Sequence, residues 1–379
     1  MQLSPALAAT GTYPFVKLEQ EKRRLAAAGV ELIDFGKGDP REPTDPMIRR
    51  ALADSLTEIS TYPLAEGLPE LRAAVADWCA RRFDVRLDPD TEIVPTYGSK
   101  EAIFLLAQVV VDRESDRRLV VTTQPGYPVP DRGAVFAGAE VEQLPLLEEH
   151  GFLPDLETVP EETWRRAAIF WLNYPNNPTG AVAPLDFLLC AAELSREHEF
   201  LLACDEAYSE LWFESPPHSG LEVREHGNVA VFNTLSKRSS MTGYRSGFVA
   251  AGAELISALK QYRPSVGTAP QEFVQRASVV AWGDEEHVER TRDAYRRKRE
   301  ALLPTLRRKG LRIAGGESAT MFLWIEAPST DIVERLLEHG IIVSPGTFFG
   351  PAGEGYFRLA LVPTEAECRR AAEIFEEVL

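Results

Sequence analysis

Asn173-Tyr174-Pro175-Asn176-Asn177-Pro178-Thr179-Gly180 directly follows the apolar run Ala167 to Leu172, and its reading decides the fold. An unbroken apolar run that stops at a cluster of Asn, Pro and Gly is a strand buried on both faces and ending in a turn. The same grammar recurs twice downstream. Phe200 to Cys204 is followed by Asp205-Glu206-Ala207-Tyr208, and Val229 to Asn233 by Thr234-Leu235-Ser236-Lys237. Ile93 to Pro95, Leu119 to Thr122 and Gly247 to Ala250 are further apolar runs, with helical stretches between them. Strands alternating with helices predict an α/β fold around a mainly parallel, seven-stranded type of sheet flanked by helices. In such a sheet, ligands sit outside the carboxyl ends of the strands.

The alternation runs from about Pro46 to Pro270, and we read residues 46–275 as one large unit. After it the rhythm changes. Glu285 to Arg308 reads as a long helix, strands are expected near Met321 to Ile325 and Tyr356 to Leu361, and helices near Asp331 to Glu338 and Thr364 to Leu379. An N-terminal helix over Val16 to Ala28, stopped by Gly29, has no sheet of its own and is expected to pack on this part. Residues 1–45 plus 276–379 thus make a smaller α/β unit.

The chain has 379 residues with 41 Lys+Arg against 58 Asp+Glu, a formal charge of −17. That charge repels nucleic-acid phosphates and anionic lipid, so neither is an expected partner. Cys79, Cys190, Cys204 and Cys368 are far apart, outside any CxxC or Cys/His cluster, which predicts reduced core thiols and no metal. Met1 to Thr10 contains no basic residue and no sustained apolar run, and no stretch of about 18 apolar residues occurs. A cytoplasmic location is the resulting expectation.

Taken singly, the polar residues at the strand ends are ordinary: Asn177-Pro178 is a turn, Asp205 a helix cap, Lys237 a surface cation. Together they meet one chemical need. A pyridine cofactor that acts as an electron sink requires a carboxylate to keep its ring nitrogen protonated, donors for its phenolic oxygen, hydroxyls and a cation for its phosphate, and an amine to form a Schiff base. Pyridoxal phosphate is that cofactor. Asp205 can supply the carboxylate, Asn177 and Tyr208 the donors, Lys237 the amine, and Arg245 a guanidinium fork for the phosphate.

With these residues in this order, and with Phe357-Arg358-Leu359 late in the chain, the sequence resembles the class I/II aminotransferases of pyridoxal-phosphate fold type I over nearly its whole length. The resemblance implies roles residue by residue. Lys237 is the Schiff-base lysine and the base at the substrate Cα; Asp205 and Tyr208 belong with it to the catalytic set. Tyr127, in Pro125-Gly126-Tyr127-Pro128, stacks on the ring. Gly98-Ser99-Lys100, before the helix Glu101 to Val110, is the phosphate loop, an assignment also favoured by the affinity of helix N-termini for anions. Thr234, Ser236 and Arg245 complete the phosphate cup. Tyr62 reaches the phosphate of a neighbouring subunit, which implies a homodimer with shared sites. Arg358 grips the substrate α-carboxylate, helped by Asn177, and Gly38 lies in the segment that closes over the substrate.

Tyr13-Pro14-Phe15, Gly36 to Glu42, Ile59 to Leu64 and Leu235 to Thr242 resemble, more narrowly, the succinyldiaminopimelate aminotransferases of bacterial lysine biosynthesis. The expected substrates are then N-succinyl-LL-2,6-diaminopimelate with 2-oxoglutarate or glutamate, and Lys37, Lys100, Arg238 and Arg263 are candidate cations for the distal acidic end. Unsuccinylated LL-diaminopimelate, aspartate or an aromatic amino acid are alternatives within the family. A pyridoxal-phosphate C–S β-lyase is a further one. A regulator built on an aminotransferase-like domain is not expected, since the pattern begins within the first forty residues and the chain is acidic.

Overall fold

The computed structural model describes residues 1, 3–9, 15–27, 29–267 and 269–379; Thr10, Tyr13, Pro14 and Ala28, quoted above, lie outside the described residues. Thirteen strands are present among the described residues: β1 Ile33–Asp34, β2 Ile93–Thr96, β3 Leu119–Gln124, β4 Glu140–Pro145, β5 Ala167–Asn173, β6 Leu201–Asp205, β7 Val229–Thr234, β8 Gly247–Ala251, β9 Ile313–Gly315, β10 Phe322–Glu326, β11 Ile341–Ile342, β12 Ser344–Pro345 and β13 Tyr356–Ala360.

The seven strands β2 to β8 form one sheet in the order β2-β8-β7-β6-β5-β3-β4. Neighbours run parallel from β7 through β6, β5 and β3 to β4, while β8 is antiparallel to both β7 and β2. All six apolar runs of the sequence are strands of this sheet. The seventh, β4, has the sequence Glu-Val-Glu-Gln-Leu-Pro, whose mixed polarity suits an edge with one solvated face and conceals it among loops. Side chains of the central strands alternate between two apolar layers. Phe170, Leu172, Val229 and Val231 enter one layer, and Ile169, Trp171, Ala230 and Phe232 the other, so helices cover both faces.

A third apolar cluster joins Ile33 and Phe35 to Tyr295, Leu302 and Leu306 of helix Glu286–Arg308, to β10 and β13, and to Phe375 of helix Glu365–Val378. Its sheet is antiparallel, in the order β12-β13-β10-β9, and β1 pairs in parallel with β11 beside it. Helix Phe15–Ala27 is tied to β1 by Lys22, whose Nζ lies 2.6 Å from Asp34. Helix Glu272–Gly283 carries Ala277, Ala281 and Trp282 into the core of the large sheet. Tyr208 and Leu211, just past the end of β6, belong instead to the third cluster. The chain therefore passes from one core to the other at the carboxyl edge of the large sheet.

Cys79, Cys204 and Cys368 are buried free thiols, whereas Cys190 is exposed on helix Leu185–Glu197, so the expectation of four core thiols holds for three. No described helix is long and apolar enough to cross a membrane. Among the described residues no group of three or more His, Cys, Asp or Glu is placed to hold a metal ion.

Candidate active site

Asn173, Asp205 and Thr234 are the last residues of β5, β6 and β7, and the register sets Asn173 beside Asp205. Over these strand ends lies a cavity of ≈330 Å³, within the range of small-molecule sites. The predicted residues Gly38, Ser99, Lys100, Tyr127, Asn177, Asp205, Tyr208, Thr234, Ser236, Lys237, Arg245 and Arg358 all line it. Lys37, Asp39, Asn173, Phe322 and Phe349 line it as well.

Lys237 stands on a single helical turn, Leu235–Arg238, that starts where β7 ends. Thr234 caps that turn, its Oγ1 accepting the Ser236 N–H at 3.1 Å. The lysine Nζ donates to the backbone carbonyl of Gly38. Burial, with the cations Arg358, Arg245 and Lys100, outweighs the attraction of Asp39 and brings the ammonium down to about 8. A neutral amine, able to attack a carbonyl or take up a proton, is thereby accessible near neutral pH.

Asp205 is 5 % exposed, and burial pushes its carboxyl up to about 7. Among the described residues its carboxylate receives one long bond, 3.3 Å from the Ala207 N–H to Oδ1, which leaves it short of a donor. The Asn173 side chain donates to the Asp205 backbone carbonyl at 2.9 Å and fixes the strand end. Asn177 is held by its own N–H bonding to Asn173 Oδ1 at 2.9 Å, and its Oδ1 accepts from Arg358 Nη1 at 2.6 Å. Arg358 Nη2 donates to the Gly36 carbonyl at 2.7 Å, and its guanidinium lies over the rings of Phe322 and Phe349 at 4.3 Å and 4.6 Å from their centroids. Tyr208 meets Phe322 edge-on, with centroids 5.1 Å apart.

On the other side of the cavity, helix Gly98–Val110 begins with Gly98, Ser99 and Lys100. Gly98 does not line the cavity but makes room for it. Its φ is +70°, and a Cβ there would fall 2.7 Å from Arg245 Nη2. Arg245 is braced by the carbonyls of Thr242 at 2.7 Å and Tyr97 at 2.9 Å. Burial and the positive charges of Arg245 and Arg132 hold the Lys100 ammonium below its ordinary value. Cationic side chains, the Ser236 and Thr234 hydroxyls and a helix N-terminus make this end an anion site.

Three predicted residues stand apart. Tyr62 is 95 % exposed and away from the cavity. Arg238 and Arg263 do not line it, which corrects their reading as pocket cations. Arg238 is enclosed between Trp78 and Trp282, donating to the Ala281 carbonyl at 2.6 Å and pairing with Glu285 at 2.8 Å. Arg263 donates to the Pro95 carbonyl and lies 3.5 Å from Glu101. Both spend their charge on the scaffold. Sequence reasoning missed Phe322, Phe349 and Asp39; the first two stand in apolar surroundings that mark only a core.

These residues fit pyridoxal phosphate. A buried carboxyl short of a donor suits a protonated ring nitrogen, the glycine-cleared cationic end suits a phosphate, and a low-pKa lysine lies near both. The model of the family described as aminotransferase class I and II matches residues 30–375. The chain is 41% identical to an LL-diaminopimelate aminotransferase of Aquifex aeolicus over 98% of each chain, and 38% identical to one of Dehalococcoides mccartyi over 96% of each. Among solved structures, an aspartate aminotransferase of Thermus thermophilus with maleate superposes with a TM-score of 0.89 at 32% identity, each chain fully covered. A probable N-succinyldiaminopimelate aminotransferase of the same species does so with 0.88 at 31%, covering 96% of this chain and 100% of that one. With its strand-end lysine, aspartate and arginine in one cavity and this likeness along its whole length, the chain belongs to the pyridoxal-phosphate-dependent class I and II aminotransferases.

Proposed function

We propose that this aminotransferase moves an amino group between LL-2,6-diaminopimelate and 2-oxoglutarate. The observation that carries the substrate is the name shared by relatives aligned over nearly the whole chain, LL-diaminopimelate aminotransferase. The N-succinylated compound, expected from short segments of sequence, becomes the second reading. It keeps the support of one solved structure, but Arg238 and Arg263, two of its four candidate cations, lie elsewhere.

Pyridoxal phosphate, when bound, supplies a ring that takes up the electron pair released as a substrate Cα–H bond breaks. In this reading Asp205 holds a proton at the ring nitrogen, Asn177 and Tyr208 orient the phenolic oxygen, and Tyr127 covers the ring face. Ser99, Lys100, Thr234, Ser236 and Arg245 bind the phosphate, with Gly98 clearing space. Arg358 binds the substrate α-carboxylate with both arms of its fork, and Gly38 lies in the segment over the site. Lys237 would remove the proton at the substrate Cα and deliver it to the cofactor's C4′, on the far side of the intervening nitrogen.

The reading includes a homodimer with shared sites, supported by Tyr62 standing 95 % exposed on a segment that also exposes Leu56, Ile59 and Leu64. It includes as well the division into residues 46–275 and 1–45 plus 276–379, supported by the separate apolar clusters, with the join beside helix Glu272–Gly283.

The test is a set of half-reactions followed by absorbance, with loaded protein and LL-diaminopimelate, N-succinyl-LL-diaminopimelate or glutamate in separate cuvettes. Conversion by LL-diaminopimelate and glutamate supports the proposal. Conversion by the succinylated compound in place of LL-diaminopimelate moves the substrate to the second reading. Parallel double-reciprocal lines are expected for the full reaction.

A further inference from the structure

Lys37 lines the cavity next to Gly38 and Asp39. Its Nζ forms an ion pair with Glu19, which projects from helix Phe15–Ala27; the two side chains are 43% and 32% exposed. Glu19 is also 3.5 Å from Lys22, which in turn is bonded to Asp34 at 2.6 Å. The bond from Lys37, with help from Lys22, holds the Glu19 carboxyl below its ordinary value, so it is an anion at neutral pH. The peptide carbonyls on either side of Lys37 are both engaged at the reaction centre. Gly36 accepts from Arg358 Nη2 at 2.7 Å, and Gly38 accepts from Lys237 Nζ. The pair is thus fixed to the backbone that touches both the carboxylate-binding arginine and the reacting amine.

We propose that the Glu19–Lys37 pair reads the far end of the substrate, Lys37 taking the distal carboxylate and Glu19 the distal ammonium. This rests on LL-diaminopimelate as the substrate. That compound ends in an ammonium and a carboxylate, a mirror of the protein's own pair. A partly exposed ion pair is weak and exchanges partners readily. When a zwitterion enters, each of the four charges finds an opposite, and none is left bare. A dicarboxylic partner such as 2-oxoglutarate or glutamate uses Lys37 alone, while Glu19 stays with Lys22. An N-succinylated end has a neutral amide where the ammonium was and an added carboxylate, which Glu19 repels; discrimination comes from that repulsion as much as from attraction.

The experiment measures kcat/KM of the loaded enzyme for LL-diaminopimelate and for glutamate, in wild type, Glu19→Gln and Lys37→Met. Glu19→Gln is expected to lower the ratio of the two values about tenfold, the size of one charge-assisted hydrogen bond. Lys37→Met is expected to lower both values and to move the ratio far less. Calorimetric binding of LL-diaminopimelate to cofactor-loaded Lys237→Ala, with and without Glu19→Gln, is expected to show the same tenfold weakening without turnover. An unchanged ratio in Glu19→Gln, in a wild-type enzyme that turns over LL-diaminopimelate, overturns this assignment alone. A wild-type enzyme that turns over glutamate and not LL-diaminopimelate overturns the substrate reading, and the assignment with it.

Discussion

Arg358, in the small antiparallel sheet, donates through Nη1 to the side-chain oxygen of Asn177, in the turn after β5 of the large sheet, at 2.6 Å. The two residues are far apart in sequence and belong to elements around different apolar cores. Both residues line the cavity, and their bond sets the guanidinium proposed to bind the substrate carboxylate beside the residue proposed to meet the cofactor's phenolic oxygen. Arg358→Lys keeps the charge but loses the fork and its bonds to Asn177 and Gly36. A fall of about 100-fold in kcat/KM is expected, in line with the loss of a buried charged contact. Steady-state kinetics decide, and a change below about threefold would remove Arg358 from substrate binding.

Lys237 has to be neutral to attack a carbonyl carbon, and its ammonium is brought down to about 8. The rate at which cofactor-free protein takes up pyridoxal phosphate should therefore rise with pH through about 8 and level off above it. Stopped-flow absorbance checks this. Lys237→Ala should abolish transamination altogether, and a variant with normal turnover would refute the assignment of the reacting amine.

Gly98→Ala puts a side chain on a backbone with φ +70° and a Cβ 2.7 Å from Arg245 Nη2. The backbone cost alone is about 1–2 kcal/mol, and the displaced guanidinium adds to it. Pyridoxal phosphate should bind about tenfold more weakly, as read by fluorescence or absorbance titration. Unaltered affinity would mean that this loop does not hold the phosphate.

Burial pushes the Glu206 carboxyl up to about 8, against the bonds it accepts from the Gly220 N–H and the Ser219 hydroxyl. A carboxyl raised in the folded chain binds its proton more tightly there than in the unfolded chain. Its contribution to stability is complete below the ordinary glutamate value and is lost as pH rises through about 8. Between those limits the cofactor-free protein should lose Tm as pH increases, and Glu206→Gln should flatten part of that slope. Calorimetric melts across the window test it; equal slopes in both proteins would count against the role of Glu206.

Arg238 is predicted to matter for stability and not for substrate choice. Its guanidinium lies 5.0 Å from the Trp282 ring centroid and 5.7 Å from that of Trp78. Arg238→Ala should cost about 2–3 kcal/mol, seen as a lowered denaturation midpoint, with the same preference among LL-diaminopimelate, its succinylated form and glutamate. A shifted preference would return Arg238 to the pocket.

The large sheet was legible because burial on two faces demands continuous apolar runs, and six of its seven strands have them. The edge strand β4 was not, since only part of one face is buried and its Glu-Val-Glu pattern resembles surface loop. The short strands β1, β9, β11 and β12 carry two or three residues each, too few for any period to show. At the cavity, polar residues that directly follow apolar runs could be picked out one by one. Phe322 and Phe349 could not, because an aromatic ring that lines a site and one that fills a core have the same hydrophobic signature.

What the sequence by itself determined is the local order: which runs become buried strands, and which polar residues stand at their carboxyl ends, since these depend on side chains a few positions apart. What only the tertiary structure decided is the fate of each charge. Arg238 and Arg358 are both buried arginines in apolar surroundings. One is enclosed by two tryptophans behind the lysine turn, and the other reaches the cavity across two cores. The pairing of Lys37 with Glu19 was equally out of reach, because a residue on the N-terminal helix meets one before the first large-sheet strand only when the chain has folded over. A charge acts through its distance to partners and the water removed around it, and both are properties of the packed molecule.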